Sequence, residues 1–89
     1  MPCVSRFHGI SILMFFDEDN HQGRPHFHAR AAGVSASYDI ETLEPIVGRL
    51  PRPVNRLVLK WARLRQDELR RSWEMLRLTG QALPIAPLP

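Results

Sequence analysis

A change of period constrains this chain more than any other feature. From Pro25 to Ile40 the stretch "PHFHARAAGVSASYDI" largely alternates apolar with polar or small residues, whereas from Pro53 onward Val54, Leu57, Val58, Trp61 and Leu64 recur at helical intervals. Period two puts residues i, i+2 and i+4 on one face of a strand, and a period near 3.6 builds one stripe on a helix. The two prolines of "LPRPV" mark the switch. The pattern predicts an α+β fold, a small antiparallel β-sheet of three to four strands followed by two α-helices packed on one face. With 89 residues, the chain has room for one simple core.

Ahead of the alternating segment, "GISILMFF" is long and apolar enough for a central strand, and Asp17 to Arg24 ("DEDNHQGR") reads as a loop. "PHFHARA" and "VSASYDI" form a hairpin closed by a two-residue turn at Ala32-Gly33. "PIVGRL" supplies a short fourth strand, with Pro45 at its start or at an edge. A second apolar set, Leu69, Trp73 and Leu76, is out of phase with the first, which predicts two helices meeting near Gln66. Asp67 and Glu68 at the start and Arg77 at the end suit the helix dipole, and Thr79-Gly80 is the stop. These elements place one domain over residues 1–80 and leave 81–89, rich in proline, as an extended or disordered tail. Trp61 and Trp73 fall on the apolar stripes and read as core anchors.

If Ala32-Gly33 is the turn, paired residue numbers sum to 65. Arg30 then faces Ser35, His28 faces Ser37 and His26 faces Asp39, and all six share one polar face. Two histidines with an arginine and a carboxylate are an uncommon filling for a solvent-facing strand, where Thr, Lys and Glu are usual. Three readings follow. His26 and His28 are an acid–base pair for a phosphodiester, with Asp39 orienting His26 and Arg24 or Arg30 holding the phosphate. Alternatively, His26 and His28 bind zinc or another divalent metal, with Asp17, Asp19 or His21 as third ligand. In the plainest reading they are solvated polar residues.

The formal charge is +3, from 12 Lys+Arg against 9 Asp+Glu, and Lys60 is the one lysine. That balance permits RNA, DNA or an acidic protein as partner without requiring any of them. Arg52, Arg56, Lys60 and Arg63 form a basic stripe on the first helix, a solvated face or a track for RNA backbone, with Arg56 and Lys60 as its centre. A helix-turn-helix reader is disfavoured, because "RLRQDE" lacks a glycine and the second helix opens with acids that phosphate would repel. Cys3 is the only cysteine, which rules out an intrachain disulfide and points to a reducing, cytoplasmic setting. The run from Ile10 to Phe16 is far short of the roughly 20 residues that span a bilayer, and it makes a poor signal peptide.

"ISILMFFDED" leading into "RPHFHA", then "YDIETLEPIVGRLP" and "LVLKWARLRQDELRRSW", resembles in order and spacing a family of small bacterial proteins known as domain of unknown function 4160. The likeness runs to about Gly80. It implies the toxin of a two-gene (type II) toxin–antitoxin module, with a small antitoxin protein as partner and His26 and His28 as the toxic centre. Joined to the residue chemistry, the expectation is a cytoplasmic toxin that cleaves RNA without a metal. The alternatives are a non-enzymatic binding module or transcriptional regulator working through its basic helices, and a metal-binding protein.

Overall fold

A computed structural model describes residues 3–15 and 24–89. Among the described residues five strands run in chain order, β1 (Cys3–Phe7), β2 (Ile10–Leu13), β3 (His26–Ala31), β4 (Val34–Asp39) and β5 (Pro45–Gly48), followed by α1 (Arg52–Leu64) and α2 (Gln66–Thr79). Each strand pairs antiparallel with the next, so the sheet order is β1-β2-β3-β4-β5. The α+β reading holds, with five strands rather than three to four.

The added strand is β1. His8 and Gly9, with φ of 49° and 75°, close a two-residue turn that pairs Phe7 with Ile10. "GISIL" is therefore the second arm of a hairpin, and β2 stops at Leu13 instead of running on toward Phe16. Ala32 and Gly33, with φ of 50° and 77°, close β3 onto β4 in the same way.

Alternation then sorts the side chains. Ile10, Ile12, Phe27, Ala29, Ala36 and Tyr38 belong to one buried cluster with Val58, Trp61 and Ala62 of α1. Trp61 lies against Phe7 and Phe27, with ring centroids 5.4 and 5.8 Å away. Burying an indole with its aromatic neighbours makes a large apolar contribution to so small a core.

The helices meet at Arg65, near the predicted Gln66. α2 then contacts the end of the β3–β4 hairpin remote from its turn: the Gln66 amide donates to the Ile40 and Glu41 carbonyls, Arg70 pairs with Glu41, and Trp73 meets the His26 ring. Gly80, in the left-handed region at φ 83°, ends the helix as expected and returns its N–H to the Leu76 carbonyl.

The C-terminal segment is extended and built into the core. Ile85 and Leu88 are buried, and the Ile85 N–H donates to the Val4 carbonyl along the outer edge of β1. The Trp61 indole N–H donates to the Ala86 carbonyl, and the Ser72 hydroxyl donates to the Leu83 carbonyl. Residues 81–89 thus belong to the packed unit. Among the described residues, no helix is long and apolar enough to cross a membrane.

Candidate functional site

The β3–β4 register brings His26 opposite Asp39, His28 opposite Ser37 and Arg30 opposite Ser35, the pairing that alternation predicts. On its other side β3 faces β2, with Leu13 opposite His28 and Ser11 opposite Arg30. The two imidazoles come together edge to face, with centroids 5.1 Å apart and planes at 76°. His28 also stacks on Phe15, centroids 4.3 Å apart and planes within 7°.

The two rings differ in access. His26 is 1% exposed, with Trp73 of α2 5.1 Å from its ring, whereas His28 is half-buried. The Arg24 carbonyl lies 2.7 Å from His26 Nδ1. A carbonyl can only accept, so Nδ1 carries the proton, and in the neutral ring Nε2 holds the basic lone pair.

Asp39 does not perform the orienting role expected of it. Its Oδ1 accepts the N–H groups of Glu41 and Thr42, and its Oδ2 lies 3.5 Å from Arg24 Nε. An Asp at a strand end readily takes up the N–H groups of the turn that follows, and that local geometry outcompetes the cross-strand imidazole. His26 is held by a backbone carbonyl from its own strand entry instead.

Arg24 is exposed, and its pairing with Asp39 sets it beside the histidine end of the hairpin. Arg30 is exposed two positions beyond His28 on the same face. Arg56 and Lys60 are exposed on α1, which packs on the opposite, apolar face, so they do not join the histidines. Asp17, Asp19 and His21 lie outside the described residues. Among the described residues no three His, Cys, Asp or Glu side chains gather as a metal-ligand set, and His26 and His28 could supply two ligands at most.

Sequence reasoning missed two members of this cluster. Phe15 and Trp73 wall the imidazoles, and nothing in their spacing ties them to β3. Ser37, directly across from His28, is buried. The cross-strand rule pairs Ser37 with His28 but cannot reveal its burial.

A family model described as a domain of unknown function (DUF4160) matches residues 9–74, a span that includes β2 to β5, all of α1 and most of α2. No curated protein and no solved structure matches the chain.

Proposed function

The chain belongs to the DUF4160 family, and we propose that it acts as the toxin of a two-gene toxin–antitoxin module, an endoribonuclease centred on His28. The observation that carries this reading is the imidazole pair itself: one ring sealed and fixed by a carbonyl, the other half-open against it. A buried ring with a set tautomer suits a positioning residue, and in the half-buried ring, whose Nε2 is enclosed, proton exchange with a substrate falls to Nδ1. In this scheme His28 removes the 2′-hydroxyl proton as the 2′-oxygen–phosphorus bond forms. It returns that proton to the 5′-oxygen as the phosphorus–5′-oxygen bond breaks. The products are a 2′,3′-cyclic phosphate and a 5′-hydroxyl, and the imidazole ends as it began. Arg30, with Arg24 nearby, would take the phosphate charge.

His28→Ala is expected to lower cleavage by about 100-fold or more, on the scale of general acid–base catalysis, and to abolish growth arrest in expressing cells. His26→Ala should instead shift the pH profile of cleavage. A His28→Ala protein that folds and arrests growth like the parent would sink the assignment. Stoichiometric zinc in protein purified without chelator, lost with His28, would move the pair to the metal reading.

A second reading rests on α1, whose four exposed cations have no acidic partner among the described residues. In it the protein binds RNA or an acidic antitoxin segment through Arg56 and Lys60 and performs no chemistry. Charge reversal there would abolish function while histidine changes left it intact.

A further inference from the structure

Where β5 leads into α1, Tyr38, Pro45, Arg49, Leu50, Arg52 and Asn55 line a cleft of about 370 Å³. That volume is at the lower end of the range for small-molecule sites. The chain must be bent sharply to form it. Gly48 sits at φ 80°, and a Cβ there would collide with the Ser35 carbonyl oxygen, so only glycine lets β5 close on β4 and turn Arg49 to the cleft.

The lining has two parts. Arg49 and Arg52 are exposed, and neither takes part in an ion pair among the described residues. Arg24, Arg65, Arg70 and Arg77, by contrast, each face a carboxylate. Among the described residues no acidic side chain lines the cleft, so both arginines bring it positive charge without compensation. Deeper in, Tyr38 is buried and its hydroxyl donates to Asn55 Oδ1, which leaves the Asn55 Nδ2 amide as a donor. Pro45 and Leu50 add an apolar wall.

We propose that this cleft binds a phosphomonoester, with Arg49 and Arg52 gripping the dianion and the Asn55 amide, held by Tyr38, completing its hydrogen bonds. Two forks suit a doubly charged tetrahedral group better than a single carboxylate. The attached nucleoside would rest on Pro45 and Leu50. The phosphate has two possible sources, a free mononucleotide or the 5′ end of an RNA chain. Arg56 and Lys60 continue the positive face of α1 beyond Arg52, a path that a chain could follow and a mononucleotide could not use.

Calorimetric titration of the full chain at low ionic strength tests this with four probes: AMP, adenosine, a short oligoadenylate bearing a 5′-phosphate, and the same oligomer with a 5′-hydroxyl. Both phosphorylated probes should bind at least roughly tenfold more tightly than their partners, the scale of one charge-assisted hydrogen bond. Arg49→Gln and Arg52→Gln should each remove about that factor, with the unfolding midpoint unchanged because both side chains are exposed and unpaired. Arg71→Gln, an exposed change on α2, is the control and should alter nothing. AMP binding as well as the phosphorylated oligomer identifies a nucleotide site, and a tighter oligomer identifies a chain end. Equal binding of phosphorylated and unphosphorylated probes, or full retention by the Arg49→Gln/Arg52→Gln double variant, overturns the proposal. The readout is binding alone, so loss of the histidine reading would leave this result standing.

Discussion

The two helices are nearly equal in length, 13 and 14 residues, and each buries one apolar stripe, yet they treat charge in opposite ways. α2 carries Arg70, Arg71 and Arg77 against Asp67, Glu68 and Glu74, and most of these meet: Arg70 with Asp67, Arg77 with Glu74, and Arg65, at the junction, with Glu68. α1 carries Arg52, Arg56, Lys60 and Arg63 with no acid anywhere along it. Exposed ion pairs contribute little to stability, so pairing on α2 does not explain why the fold holds. What the contrast explains is the field. Charges on α2 cancel locally, and those on α1 add into one positive face.

The comparison breaks first on packing. Trp61 anchors α1 between Phe7 and Phe27 and donates to the Ala86 carbonyl, so it ties sheet, helix and C-terminal segment together. Trp61→Ala should cost about 3–5 kcal/mol, enough to unfold much of a marginally stable small domain. Trp73→Ala should cost less, because that ring is slightly exposed and has the His26 imidazole as a neighbour. Urea denaturation of both variants checks the order. Equal losses would mean that the two helices are interchangeable supports.

Next in size is the charge contrast itself. Reversing Arg56 and Lys60 to glutamate should remove most affinity for single-stranded RNA and flatten its salt dependence by about 0.7 per cation lost. Arg70→Gln and Arg77→Gln together should leave RNA affinity unchanged, since those cations are already neutralised. If the α2 changes weaken binding as much, the face of α1 is not the interface.

A smaller effect concerns the tyrosine beneath α1. Burial pushes the Tyr38 hydroxyl above its ordinary value, so the folded state favours the protonated phenol. The sign follows from linkage: this contribution is fully present below the ordinary tyrosine value of about 10 and is lost as pH rises past it. Thermal unfolding followed from neutral to strongly alkaline pH should show the decline in the parent, and Tyr38→Phe should reduce it. A variant with the same alkaline slope would place the titrating group elsewhere.

Much of this was legible from residue patterns, and the exceptions have physical causes. The β3–β4 register was readable because a slip of one residue would have exchanged Phe27 for His28 on the apolar face. The break between α1 and α2 was readable because two apolar stripes cannot share one phase. β1 was not, since a turn made by His8-Gly9 lacks the Asn-Gly or Asp-Gly signature, and "GISILMFF" reads as one continuous strand. The docking of Ile85 and Leu88 was hidden by the prolines around them, which signal an extended chain but not what it lies against. Alternation placed His26 on the polar face correctly and still could not show its burial, because Trp73, from an element 47 residues further on, supplies the cover. The role of Asp39 was decided by the backbone of its own turn, a competition that residue types alone do not reveal.

The smallest effect sharpens the comparison most finely. Hydrogen bonding to Arg77 holds the Glu74 carboxyl below the usual carboxylate range, and both groups are exposed. A depressed carboxylate contributes above its ordinary value and loses that contribution as pH falls through the lowered one. Solvent screens the pair, so Glu74→Gln should leave the unfolding midpoint near neutral pH barely changed, and the difference should vanish in acid. The same substitution frees one cation on α2. If a continuous positive face is what binds RNA, a single released arginine on the other helix adds nothing resolvable to affinity. A clear gain would show instead that binding follows net charge, and the distinction between α1 and α2 would lose its meaning.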